Sequence, residues 1–261
     1  MEVIKYGIIG AVAGLLSSCW GAYKDSLYER FESQRFIRSI IVGLVLGMSL
    51  FFFLDFHQII GTNLGVVFAV VVTLERIFTE FIKAFLREEK QDKYQIPSRL
   101  HILGKTVENK SLRLVLGVLF LGLVYLLFSM PAILRVDFGN PQLNGLFWGF
   151  FAGLVGSASG GAWKDAPIEG FERIKFFRSP IASGIWGIIF SFFTTNYSLL
   201  LVASLGGERM LVELYKTFIV QKVPGKFKAT KPAFPEWKEK RKNLIIPYFM
   251  TWIVFFYFLL S

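Results

Sequence analysis

Cysteine and histidine are nearly missing from this chain, which has one cysteine, Cys19, and two histidines, His57 and His101. A lone cysteine excludes an internal disulfide. Neither histidine stands at metal-ligand spacing from other ligands, so no metal centre is expected, and both read as surface residues. A glycine-rich phosphate loop closed by Lys and Ser or Thr is lacking, as are a nucleophile elbow and a Ser/His/Asp arrangement. No cofactor is therefore expected, and the familiar hydrolase and nucleotide-binding signatures are excluded. The string Leu16-Ser17-Ser18-Cys19 resembles a lipoprotein cleavage site. Cleavage there would put the first basic loop outside, so the sequence reads as an uncleaved first span.

Apolar residues dominate. Of 261 residues, 54% are hydrophobic and 17% aromatic, and the mean hydropathy is +0.52. Those values lie outside the range of a soluble domain. Eight stretches are long and apolar enough to be read as bilayer spans, at about 6–23, 37–55, 60–83, 113–134, 145–163, 177–195, 197–219 and 244–260. Charges interrupt the third and the seventh. The reading is an all-α integral membrane protein.

The net charge of +10 invites a nucleic-acid reading. Its distribution argues against one, because no basic module with stacking aromatics occurs. With the connections assigned alternately to two faces, 23 of the 29 Lys and Arg fall on one face, and the other holds only Lys5 and Arg135. Cytoplasmic loops of membrane proteins are rich in Lys and Arg. The basic face is thus expected to be cytoplasmic, with both termini outside and anionic lipid headgroups within reach. This orientation fits a plasma (inner) membrane, with an organelle membrane as the alternative. The bilayer is the expected partner, together with other membrane subunits or further copies of the chain.

One polar string is written twice. Lys24–Ile41 and Lys164–Ile181 share nine of 18 positions: Lys24/Lys164, Asp25/Asp165, Glu29/Glu169, Phe31/Phe171, Glu32/Glu172, Phe36/Phe176, Arg38/Arg178, Ser39/Ser179 and Ile41/Ile181. Chance would give about one. A second block, Glu75-Arg76, Glu80, Lys83 and Phe85, recurs as Glu208-Arg209, Glu213, Lys216 and Phe218. Two tandem four-helix repeats follow, 1–136 and 144–261, joined by an outer-face linker, 137–143. An even number of spans per repeat relates them by a pseudo-twofold axis along the membrane normal. The long loops 87–112 and 220–243 are basic and contain proline, and are expected to be irregular or short interfacial helices.

Small residues mark the first span of each repeat. Gly10, Gly14, Ser18 and Ala22 recur every fourth position, as do Gly145, Gly149, Gly153, Ser157 and Gly161. Every fourth residue lies on one stripe of a helix, and small residues there let helix backbones approach closely. The stripes are expected either to pack helices or to let the two helices meet across the pseudo-axis.

Charges inside the bilayer are the candidate functional residues, because each is costly when unpaired. Glu75 lies roughly 15 Å of helix above the cytoplasmic end of its span. Arg76 and Glu80 stand at i,i+4, and Glu80 and Lys83 at i,i+3, so they can pair along the helix. Glu75 has no such partner. The expected grouping is one polar cluster per repeat: Lys24, Asp25, Glu29, Arg38, Glu75, Arg76, Glu80 and Lys83 in the first, and Lys164, Asp165, Glu169, Arg178, Glu208, Arg209, Glu213 and Lys216 in the second. Transport of an ion or proton through clusters open to the cytoplasm is the favoured function. The alternatives are a non-catalytic scaffold or complex subunit, and an enzyme on a lipid phosphate using Asp25/Glu29 and Asp165/Glu169 to hold Mg²⁺.

Overall fold

The computed structural model describes residues 2–53, 62–88, 94–221, 227–228 and 231–261, and His57 lies outside them. The described residues are all-α apart from one short hairpin and an isolated bridge between Tyr94 and Phe227. Among the described residues the long helices are α1 (Glu2–Glu29), α2 (Ser33–Phe53), α3 (Leu64–Phe81), α4 (Lys110–Leu134), α5 (Pro141–Gly156), α6 (Arg173–Phe190), α7 (Tyr197–Leu214) and α8 (Ile245–Leu260).

Among the described residues, four helical segments are long and apolar enough to cross a membrane: Glu2–Glu29, Ser33–Leu50, Lys110–Leu134 and Trp237–Leu260. The other helices fall short for a chemical reason. Glu75, Arg76 and Glu80 interrupt α3, and Glu208, Arg209 and Glu213 interrupt α7. Arg173, Lys175 and Arg178 open α6, and α5 is only 16 residues long before its geometry changes.

Asparagine starts four of the helices, because its side-chain oxygen satisfies backbone N–H groups that have no partner within the helix. Asn63 accepts from Gly65 and Val66 at α3, and Asn196 from Ser198 and Leu199 at α7. Asn109 and Asn140 do the same for α4 and α5, accepting from Leu112 and Leu143. Pro141 sits at the start of α5, where its missing N–H costs nothing.

Among the described residues, π-helical turns extend three helices: Ile82–Leu86 after α3, Ser157–Asp165 after α5 and Tyr215–Ile219 after α7. The second has a cause in the sequence. Gly10 and Gly149 are 139 positions apart, as are Gly14 and Gly153, whereas Lys24 and Lys164 are 140 apart. The later string holds one more residue between Ser157 and Lys164, and a wider turn absorbs a single insertion without ending the helix.

The long loops contain short regular elements. Residues His101–Ile102 (β1) and Lys105–Thr106 (β2) pair antiparallel around Leu103 and Gly104, both at positive φ, as a two-residue hairpin turn requires. Trp237–Lys240 is a helical turn and Arg241–Leu244 a 3₁₀ turn leading into α8. Loop residues 89–93, 222–226 and 229–230 lie outside the described ones.

The chain divides into two compact units: Met1–Glu75, Arg209–Pro224 and Ala229–Ser261 form the first, and Arg76–Glu208 with Gly225–Lys228 the second. Both divisions fall inside a helix, between Glu75 and Arg76 of α3 and between Glu208 and Arg209 of α7.

In unit one, α1 packs along α2, and α8 packs on α1. A Cβ at Gly10 would strike the Gly43 carbonyl of α2, and one at Gly14 the Ser39 carbonyl. Ser18 Oγ donates to the Phe36 carbonyl at 2.6 Å. In unit two, α5 packs along α6 in the same way. Cβ atoms at Gly145 and Gly149 would strike the carbonyls of Gly187 and Ser183, and Gly153 lies against Ser179 and Pro180. Ser157 Oγ donates to the Phe176 carbonyl at 2.8 Å. The small-residue stripes therefore each seat the next helix of the same unit. Gly161 does not join its stripe, since a Cβ there would meet nothing within 4 Å. The π-helical turn rotates Gly161 off the face that Gly149, Gly153 and Ser157 share.

Candidate functional site

The sequence places the charged strings at helix ends, and the unit boundaries decide which of them meet. In unit one, Lys24 lies in the last turns of α1, and the last turns of α7 carry Arg209 and Glu213. Lys24 Nζ lies 3.3 Å from Glu213 Oε2. Arg209 Nη2 lies 2.6 Å from Glu213 Oε1, one helical turn away. Thr217 Oγ1 donates to Glu213 Oε2 at 3.3 Å. Glu213 itself is only 1% exposed. Burying a carboxylate is tolerable only with such compensation.

Unit two has a matching arrangement around Glu80. Lys164 Nζ, from the π-helical turn after α5, lies 3.0 Å from Glu80 Oε2. Arg76 Nη1 is 2.8 Å and Lys83 Nζ 3.3 Å from Glu80 Oε1, at the i,i+4 and i,i+3 positions the spacing predicts. The Glu80 side chain is 25% exposed, so this carboxylate is less buried than that of Glu213, while the cations of both hubs are partly exposed.

The expected clusters are thus composed differently. Lys24 meets Glu213 and not Glu80, and Lys164 meets Glu80 and not Glu213. The reason is that α3 ends in unit two and α7 ends in unit one. Glu75 is buried at 3% exposure within unit one. Glu208, half-buried, accepts from Ser179 Oγ at 2.6 Å in unit two. Asp25, Asp165, Arg178 and Lys216 are half-buried, and Arg38 is exposed. Glu29 and Glu169 each have a cation from their own copy of the string. Arg35 Nη1 reaches Glu29 at 2.9 Å, and Lys175 reaches Glu169 at 2.7 Å. Each of these carboxylates therefore faces a cation, and the described residues contain no group of three His, Cys, Asp or Glu that could hold a metal.

Several participants escaped the sequence reading. Arg35 and Lys175 occupy the same place in the repeated string, but a count of identities passes over Arg against Lys. Ser179 and Thr217 carry no distinguishing pattern, although Ser179 lies within the repeat. His101, expected at the surface, is buried. Its Nδ1 lies 3.2 Å from the Arg99 carbonyl and its Nε2 3.0 Å from the Lys164 carbonyl. The hairpin is thereby fastened to the backbone of the residue that binds Glu80. Arg113, at the start of α4, is fully buried and lies 2.7 Å from Glu88.

Aromatic rings pack around the Glu213 hub. Phe218 stacks on Tyr248 with centroids 4.2 Å apart and lies 4.7 Å from the Tyr23 ring. The Arg241 guanidinium sits 4.4 Å from the centroid of the Tyr23 ring, in cation–π contact. No known protein family, curated protein or solved structure matches the chain.

Proposed function

We propose that this chain is an eight-span membrane protein of two tandem four-helix repeats, 1–136 and 144–261, and that it carries an ion or small charged solute. The basic loops face the cytoplasm and both termini lie outside. The four apolar helices and the one-sided basic charge support the membrane reading.

Recurrence of contacts supports the duplication. Lys24–Glu213 matches Lys164–Glu80, and Arg209–Glu213 matches Arg76–Glu80. Arg35–Glu29 matches Lys175–Glu169. Asn63 and Asn196 cap helices 133 positions apart, the spacing that also separates Glu75 from Glu208.

The observation that carries the transport reading is a glutamate shared among several cations, on a helix that bears a second carboxylate five residues earlier. Five residues span about 7.5 Å of helix. A proton or cation reaching Glu80 competes with Lys164, Arg76 and Lys83 for the carboxylate. An arriving anion competes with Glu80 for the same cations. Either event loosens an ion pair between residues distant in sequence, which is how a bound charge moves helices.

The test is flux in liposomes. Glu75→Gln combined with Glu208→Gln abolishes coupled ion or proton movement while the melting temperature stays near that of the parent. Unchanged flux removes both residues from the mechanism. A second reading, a non-transporting scaffold, is favoured by the dense pairing at Glu213, and it predicts no flux for the parent chain.

A further inference from the structure

His101 is gripped at both ring nitrogens by groups of the same kind. It is only 4% exposed in β1. Its Nδ1 lies 3.2 Å from the Arg99 carbonyl oxygen, and its Nε2 3.0 Å from the Lys164 carbonyl oxygen. A carbonyl oxygen accepts hydrogen bonds and donates none. A neutral imidazole has one N–H, so either tautomer turns a lone pair towards one of the two oxygens. The imidazolium has two N–H groups and donates to both.

The contact to Lys164 joins two elements of unit two. On one side is the hairpin of β1 and β2, whose tip is open: Leu103 is 74% exposed. On the other is the π-helical turn Ser157–Asp165, against which β1 packs. The charged groups on the elements around the ring are Arg99 beside β1, Lys105 on β2, and Lys164 and Asp165 on that π-helical turn. Lys83 lies on the turn Ile82–Leu86, whose Ala84 carbonyl accepts from the Leu100 N–H at 2.9 Å. Glu169 ends the helical turn whose Ile168 reaches Gly104. Glu108 lies 2.8 Å from Arg99, and Glu80 pairs with both Lys83 and Lys164. Carboxylates therefore offset these cations beside the ring, and the two carbonyls set which form of the ring fits.

We infer that His101 is a proton-operated clasp. As the imidazolium it fastens the hairpin to the π-helical turn that carries Lys164, and on losing its proton it lets the hairpin go. The fastening is present at low pH and is lost as pH rises. Lys164 is the residue that pairs with Glu80, so the clasp makes the setting of that hub depend on pH. This goes beyond the transport reading and does not rest on it, because the clasp is read from the hairpin and not from flux.

The experiment uses the full chain in phosphatidylcholine nanodiscs, with a nitroxide spin label on Leu103→Cys in a Cys19→Ser background. Its electron paramagnetic resonance spectrum separates docked from released hairpin. The docked-to-released ratio falls about ten-fold, the worth of one hydrogen bond from a charged donor, between about pH 5 and about pH 8, the range in which histidine changes charge. His101→Gln gives the same ratio at both pH values, and His57→Gln keeps the response of the parent. Nitrogen NMR of the ring in the His57→Gln chain leaves His101 untouched, and it finds both ring nitrogens protonated while the hairpin is docked. A neutral ring in the docked hairpin, a ratio in the parent that does not change with pH, or a response that survives in His101→Gln overturns the clasp.

Discussion

Lys24 and Glu213 stand 189 positions apart, yet their side chains lie within 3.3 Å. Lys164 and Glu80 make the corresponding pair at 3.0 Å. Each lysine comes from one copy of the repeated string and each glutamate from the helix of the other copy. Ion pairs of this kind tie chain segments that sequence alone keeps apart.

Their unequal burial gives unequal coupling. A double-mutant cycle of Lys24→Met and Glu213→Gln, followed by thermal unfolding in detergent, yields a coupling of about 2 kcal/mol. The cycle of Lys164→Met and Glu80→Gln yields about 1 kcal/mol or less, because that pair is partly exposed. Equal couplings would remove the distinction between a buried and a partly exposed carboxylate.

The glycine stripes make a positional prediction. Gly10→Leu and Gly149→Leu force side chains into the backbones of α2 and α6, destabilising by about 3 kcal/mol each. Gly161→Ala is neutral or stabilising by roughly 0.5 kcal/mol, through better helix propensity. Unfolding midpoints of the three variants, compared side by side, check this.

Asp137, in the linker between the proposed repeats, titrates below its ordinary range. The Asn144 amide donates to it at 2.7 Å and the Gly139 N–H at 2.8 Å, and both favour the carboxylate. Because the folded value is depressed, the stabilisation is present above the unfolded value near 3.9. It fades as pH falls through the lower folded value. NMR titration of the Asp137 carboxyl gives a midpoint under the unfolded value in the parent and a higher one in Asn144→Ala.

How much of this was legible beforehand depends on the distance over which the signal acts. Apolar run length marks helical segments, and the i,i+4 spacing of Arg76 and Glu80 marks a pair within reach of one helical turn, a local contact of the kind a sequence can show. The fourfold spacing of Gly10 and Gly14 marked a packing stripe, and which helix it seats was left open. Gly161 was misplaced because one inserted residue changes the helical period without changing the residue types around it. The partners of Lys24 and Lys164 are out of reach of the sequence: two copies of a string that keep the same lysine offer two pairings with similar local chemistry, and only tertiary placement of the helix ends chooses between them. His101 gave no signal because its partners are backbone carbonyls, which every residue carries.

The exchanged pairing is the centre of this account, and thiol cross-linking measures it most directly. In a Cys19→Ser background, Lys24→Cys with Glu213→Cys, and Lys164→Cys with Glu80→Cys, are treated with a short bifunctional thiol reagent in native membranes. The account predicts rapid intramolecular linkage of both pairs. Linkage of Lys24→Cys to Glu80→Cys in place of these two would contradict it.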